Sequence, residues 1–428
     1  MAKETINFIT LGCAKNTVDS EHLAAAVGDR YDIVFDSEEP CEVVIINTCG
    51  FILDAKEESI EAILAAAELK NEGQIDKLYV FGCLSQRYKD ELRAEIPEVD
   101  EYYGARTIDD IISDLLQGDS PSGEARILST ASHYGYLKIS EGCNWGCGYC
   151  AIPLIRGRHR SVPIEELIAE THELVSKGVK ELIVIAQDTT YYGVDLYGER
   201  RLGELLNELC KIEGVEWIRL HYAYPTQFPD DVIEVMAAQD KICKYIDIPL
   251  QHISDRMLSS MRRGLSKADS IALIEKLRSR IPTIAIRTTM LVGYPGETEQ
   301  DIEELLEFVE WAKFERLGVF PYSQEEGTYS ARELSDSLSD EEKQSRADRV
   351  MALQQSVSLG SNERLLDQVV RVLIDREEGD FFVGRTQWDS PEVDGEVLVS
   401  SGEDLLVGEF VEVRVTKVEE YDIYGVTV

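Results

Sequence analysis

The 428-residue sequence predicts an α/β fold in three units: a doubly wound parallel sheet, a partial (β/α) barrel of TIM type, and a small OB-like β-barrel. Three observations carry this. Apolar strand-like runs alternate with helical patterns over residues 1–130, which implies a parallel sheet. Six further runs separated by helical patterns follow over 131–335, which implies a curved parallel barrel, full or partial. A charged helical connector at 336–366 leads to five short β runs over 367–428, with turns marked by Gly379, Gly395, Gly402 and Gly408.

In the first unit, strands are expected at 6–10, 31–36, 43–47 and 77–82, with helices at 17–27, 55–69 and 85–95. Cys13, Cys49 and Cys83 each stand just past a strand, and parallel strands bring their carboxyl ends to one edge, where ligands bind. The three would converge as ligands of a cluster or lie buried as inert thiols. Each has a neighbouring glycine (Gly12, Gly50, Gly82) that would leave room for a bulky ligand. Asn16 and Asn47 are expected to cap loops, and Cys41, which begins its strand, to be structural.

The second unit opens with a strand at 136–140 that runs into Cys143-Asn-Trp-Gly-Cys-Gly-Tyr-Cys150. Three thiolates in C-x3-C-x2-C spacing on one loop can face one centre, and soft sulfur suits an iron–sulfur cluster or zinc. The next Cys or His is His159, so a closed site lacks a nearby fourth ligand and one iron of a cubane would stay open. A zinc knuckle or three unrelated thiols are the plainer alternatives. Gly146 and Gly148 would let the loop turn sharply.

Further strands are expected at 182–186, 217–222, 245–250, 285–292 and 317–322. Polar residues stand in or just past them: Gln187 and Asp188, His221, Gln251 and His252, and Arg287. Each taken alone would equally suit a hydrogen-bonding residue lining the barrel. The one dense basic run, Ile155-Arg-Gly-Arg-His-Arg160, offers Arg156 and Arg158 to a carboxylate-bearing substrate or to the ordering of the loop.

Eighty-one acids against 43 bases leave a formal charge of −38, a surface that repels nucleic-acid phosphate and attracts basic partners. The small barrel shares the bias, with five bases and fifteen acids over 368–428. RNA binding calls for clustered cations, so this barrel suits a basic protein instead. Trp388 would serve there as an interface anchor or as a core residue. Nine cysteines, no signal-peptide pattern and no long apolar run point to a cytoplasmic protein with metal chemistry.

The cysteine loop, with Tyr149 in its aromatic slot, resembles the signature of radical S-adenosylmethionine (SAM) enzymes. Leu11-Gly-Cys-Ala-Lys-Asn16, Asn47-Thr-Cys-Gly-Phe51 and Gly82-Cys-Leu-Ser-Gln86 resemble the methylthiotransferases of that group over nearly the whole chain. Residues 384–394 are similar to a TRAM domain. The resemblance implies two [4Fe–4S] clusters, a radical-generating one on Cys143, Cys147 and Cys150 and an auxiliary one handling sulfur on Cys13, Cys49 and Cys83. It also implies SAM as radical source and methyl donor, an external electron donor of flavodoxin or ferredoxin type, and SAM contacts at Tyr149, Gln187, Asp188, His221, Gln251 and Arg287. Substrate contacts would fall to Arg156, Arg158, His252 and Trp388.

Two branches differ in substrate. One modifies an adenosine next to the tRNA anticodon and typically reads Gln-Ser-Gly after the fourth barrel strand. Here Pro249-Leu-Gln-His-Ile-Ser-Asp255, Ile152-Pro-Leu-Ile-Arg-Gly157 and Ser390-Pro-Glu-Val-Asp394 are similar to the other branch. That branch adds a methylthio group to the β-carbon of an aspartate in small-subunit ribosomal protein twelve, at the decoding centre. A reading of another class is a non-enzymatic iron–sulfur carrier or zinc-stabilised scaffold.

Overall fold

The computed structural model describes residues 3–39 and 41–428. Its first sheet holds β1 (Glu4–Thr10), β2 (Tyr31–Phe35), β3 (Val43–Thr48), β4 (Lys77–Gly82) and β5 (Glu101–Tyr102), all parallel, in the order β2-β1-β3-β4-β5. The central strand explains the double winding. Val43 and Ile45 join one apolar layer with Phe8 and Leu23, while Val44 and Ile46 join another with Ile63 and Leu78. A strand apolar on both faces needs helices on both sides. Helices Ala14–Val27 and Ile108–Leu116 cover one face, and Leu53–Asn71 and Cys83–Glu95 the other. Thr10 pairs with Asn47 and Thr48 with Gly82, so β1, β3 and β4 finish side by side.

The second sheet runs in sequence order through β6 (Tyr134–Lys138), then β9 (Glu181–Ile185), β10 (Trp217–Leu220), β11 (Ile242–Asp247), β12 (Ala285–Val292) and β13 (Arg316–Pro321). A short antiparallel pair, β7 (Ser140–Glu141) and β8 (Arg160–Ser161), brackets the cysteine loop. All six main strands are parallel, and sequential winding with helices between them gives a partial barrel. Outward residues such as Ile218 and Leu220 pack beneath the helices. β11 begins three residues before the predicted strand, because Lys244 interrupts its apolar run; the Lys244 ammonium donates to the carbonyls of Met236 and Gln239 (2.6 and 2.8 Å). The connector is not a free linker: its helix Asp340–Asn362 packs Ala347 and Val350 into the barrel core.

The C-terminal strands β14 (Val369–Glu378), β15 (Phe381–Arg385), β16 (Val397–Ser400), β17 (Phe410–Val418) and β18 (Ile423–Thr427) close into a barrel around Val372, Val399, Val413 and Val415. It docks on the amino-terminal end of the larger barrel, where Leu373, Trp388 and Phe410 meet Trp217, Cys243 and Ala285. The segment 386–394 between β15 and β16 reaches into the larger barrel and forms its floor. Arg219 donates to Glu181 (2.7 Å) and to the Gln387 carbonyl (2.8 Å). Arg385 bridges Glu181 and Asp375, and Tyr245 donates to Asp394 (2.8 Å). Among the described residues no helix is long and apolar enough to cross a membrane.

Candidate active site between two cysteine triads

Cys13, Cys49, Cys83, Cys143, Cys147 and Cys150 all line one cavity of about 450 Å³ at the carboxyl ends of both sheets. The first triad arises from strand register. Cys13 caps helix Ala14–Val27, Cys49 follows β3, and Cys83 opens helix Cys83–Glu95 directly after β4. Gly12, at φ +95°, lets two of these loops converge: a Cβ there would lie 2.7 Å from that of Cys49. The glycines beside Cys49 and Cys83 differ from expectation, because Gly50 abuts the Leu84 backbone and Gly82 the Thr48 backbone, so they serve loop contact and not ligand space. Asn16 donates to the Leu11 and Thr48 carbonyls (2.7 and 3.3 Å), and Asn47 donates to the Asn16 carbonyl (2.9 Å), which ties these loops together.

The second triad is clamped at its ends. The left-handed turn falls at Gly142 (φ +81°), not at Gly146 or Gly148, and a Cβ there would overlap the Arg158 carbonyl. Gly148 donates to the Met261 carbonyl and accepts from the Ser330 hydroxyl (both 2.8 Å). The Trp145 ring stacks on Tyr224 with centroids 4.2 Å apart, and its N–H donates to Asp188 (2.6 Å).

Burial pushes the Cys83 thiol up to about 11 and the Cys143 thiol up to about 12, and raises Cys49 and Cys150 as well. Thiols so placed ionise when a metal centre supplies the compensating charge. No His, Asp or Glu of the described residues lines the cavity, so a centre held by either triad would have three sulfur ligands and an open fourth position. Among the described residues no three such side chains are set to chelate one metal ion. The donor set therefore fits two iron–sulfur clusters.

Three cations reach the cavity: Lys15, Arg156 and Arg263. Arg156 is buried, pairs with Asp19 and Glu141 (3.2 Å to the latter), and donates to Asn16. It joins the two triads' loops. Arg263 donates to Cys147 Sγ (3.4 Å), to the Tyr149 hydroxyl (3.2 Å) and to the Pro249 carbonyl. Tyr222 and Gln251 line the same cavity at φ +54° and +75°, conformations that cost energy for residues with a side chain and concentrate at functional sites. Backbone bonds hold them there: Gln251 donates to the Thr289 carbonyl (2.8 Å) and accepts from Leu291 (2.7 Å).

Of the residues singled out in the sequence, Tyr149, Gln187, Gln251 and Arg156 line the cavity, with Gln187 donating to Glu141 (2.5 Å). Asp188 lies behind Trp145 and caps Thr190 (2.8 Å). His221 and Arg287 sit elsewhere, inside the barrel but at its floor. The His221 ring meets the Ser390 hydroxyl (2.8 Å), and burial with Arg287 and Arg219 nearby holds it well below the ordinary range, hence neutral. Arg287 pairs with Asp247 (3.0 Å) and Asp394 (3.3 Å). His252 is fully buried: its Nδ1 accepts from Ile253 and Ser254, and its Nε2 faces Glu297 (3.4 Å), which locks a loop instead of touching a ligand. Arg158 is exposed, and Trp388 donates to the Thr283 carbonyl (2.9 Å) at the joint between the barrels. Lys15 and Arg263 were missed. Each stands in a motif or loop that carries no charge pattern of its own, and only the folded chain brings them to the sulfurs.

Residues 137–309 match the radical SAM superfamily, 5–104 the uncharacterized protein family UPF0004, and 368–428 the TRAM domain. The chain is 53% identical over 99% of its length to the ribosomal protein uS12 methylthiotransferase RimO of Phocaeicola vulgatus, covering 99% of that protein. It is 49% identical over 99% of its length to RimO of Christiangramia forsetii, covering 94% of it. The radical SAM methyltransferase TsrM of Kitasatospora setae shares the fold with a TM-score of 0.58 at 13% identity, over 77% of each chain. Full-length identity at this level, on a chain whose two cysteine triads share one cavity, places the protein in the RimO family of radical SAM methylthiotransferases.

Proposed function

We propose that the protein adds a methylthio group to the β-carbon of an aspartate in ribosomal protein uS12. The observation that supports this is the shared cavity, lined by both cysteine triads, so that one could form the radical and the other handle sulfur around a single substrate side chain. Two [4Fe–4S] clusters and SAM, bound there, supply the radical and the methylthio group. The chain's own residues hold and orient. Cys143, Cys147 and Cys150 ligate one cluster and Cys13, Cys49 and Cys83 the other. Arg263, Tyr149, Gln187 and Gln251 would contact SAM, and Arg156 fixes the loops between the triads.

The substrate is protein and not tRNA in this reading, and the TRAM surface supports it. Arg371 pairs with Glu216, Arg376 with Glu396, Lys417 with Glu419, and Arg385 is buried, while Glu377, Glu378, Asp380, Glu403, Asp404 and Glu412 are exposed. Arg414 alone of the five bases is exposed with no carboxylate partner among the described residues; one such cation is too few for a phosphate backbone, and the face suits a basic ribosomal protein. The enzyme would work in the cytoplasm with a flavodoxin- or ferredoxin-type reductant.

Mass spectrometry of uS12 from cells with and without the gene tests the proposal. A methylthio mass on one aspartate should vanish with the gene and return with the wild-type chain, but not with Cys49→Ala or Cys147→Ala. Iron analysis should give about eight irons per wild-type chain for two cubanes. No mass difference on uS12 would sink the substrate assignment.

A further inference from the structure

One cation of the cavity has no anion. Lys15 is only 9% exposed, and its ammonium lies 3.1 Å from the centre of the Tyr222 ring. No carboxylate of the described residues pairs with it, although the chain carries 81 acids. The other two cations of the cavity are engaged: Arg156 with Asp19 and Glu141, Arg263 with Cys147, Tyr149 and the Pro249 carbonyl. A buried ammonium without a partner is costly unless a ligand completes it.

The surroundings of Lys15 are built to keep it there. Its ring platform, Tyr222, is held in a left-handed conformation (φ +54°) by two bonds: its N–H donates to Asp247 (3.1 Å), and its carbonyl accepts from the Thr189 N–H (3.1 Å). Lys15 is the second residue of helix Ala14–Val27, so the positive end of that helix adds to its field. It stands on the first unit, two residues from Cys13, while Tyr222 belongs to the barrel that carries the other triad.

Resting on the proposed function, we infer that Lys15 recognises the side-chain carboxylate of the aspartate to be modified. The reacting β-carbon is bonded directly to that carboxylate. An ammonium that fixes the carboxylate therefore fixes the carbon between the two triads. Asparagine has the same shape but no charge, and it would leave Lys15 buried without a counter-ion. The pairing thus makes the site selective for aspartate.

The test measures binding to the iron-loaded protein in the presence of S-adenosylhomocysteine, by fluorescence anisotropy. The ligands are uS12 and a version in which the modified aspartate is asparagine. Wild type should prefer the aspartate form by roughly ten- to a hundredfold, the range of a charge-assisted contact. Lys15→Met should bring that ratio close to one, Lys15→Arg should keep most of it, and Tyr222→Leu should lower it. Iron content and thermal midpoint report whether each variant is folded and loaded. Absence of aspartate preference in wild type would overturn the inference whether or not the variants fold. So would an undiminished ratio in Lys15→Met; if that variant also lost methylthio transfer, Lys15 would belong to the sulfur chemistry instead. Failure of the proposed function is seen separately, as wild type that leaves uS12 unmodified.

Discussion

The two ends of the partial barrel treat buried charge in opposite ways. At the floor every arginine has its acid: Arg219 and Arg385 share Glu181, Arg287 meets Asp247 and Asp394, and Arg316 meets Asp389. At the carboxyl end no carboxylate lines the cavity: Arg263 is engaged by Cys147, Tyr149 and the Pro249 carbonyl, and Lys15 has no anion at all. A chain of net charge −38 has acids to spare, so the gap is not one of supply. Charge matched inside the chain holds two barrels in one geometry. Charge left unmatched beside sulfur ligands is kept for something that arrives later.

Removing a charge at each end sharpens that contrast. The largest effect is expected from Arg263→Met, which deletes the donor to Cys147 and Tyr149. Formation of 5′-deoxyadenosine, followed by chromatography, should fall about 10²–10³-fold, as for a lost preorganised donor, with little change in thermal midpoint. Glu181→Gln should do the reverse. It leaves Arg219 and Arg385 face to face and should cost about 3–5 kcal/mol in thermal unfolding, while folded molecules keep their iron.

Acid should act on the same joint. Against the cost of burial, the Arg385 and Arg219 guanidiniums hold Glu181 below the ordinary carboxylate range. Its stabilisation is therefore complete above about pH 4.3, the unfolded value, and is lost as pH falls through the lowered folded value. Fluorescence of Trp217 and Trp388, which both sit at the joint, should report the change during acid titration. Trp388→Ala should cost about 2 kcal/mol from a half-buried ring and leave the KM for uS12 unchanged; a raised KM would restore Trp388 as a substrate anchor. Arg158→Ala should be smallest, within about 0.5 kcal/mol, because its side chain is exposed.

What was legible in the sequence follows from how local each signal is. Cys143, Cys147 and Cys150 lie on one loop, so their spacing alone already suggests a shared centre. Cys13, Cys49 and Cys83 are far apart, yet a parallel sheet forces their strand ends together, and that too could be read. His221 and Arg287 read from the sequence as SAM contacts or as hydrogen-bonding residues lining the barrel, and they line the barrel away from the cysteine cavity. Which end of it they serve depends on residues 386–394, which enter from another domain and occupy the floor. Lys15 stands in the motif Leu11–Asn16, yet nothing there marks it, since what distinguishes it is the lack of an anion partner, and that is a property of the fold.

The floor also sets an order of assembly. Arg316 is synthesised well before Asp389, the acid that neutralises it, and Arg287, already paired with Asp247, well before its second acid, Asp394. At ordinary translation speeds the interval between Arg316 and Asp389 is on the order of ten seconds. During that time Arg316 stands at the open base of a nascent barrel without its acid, while Arg219 and Arg287 already have Glu181 and Asp247. The C-terminal barrel therefore settles the charge of the larger one: the loop that closes the floor also delivers its last acids, Asp389 and Asp394.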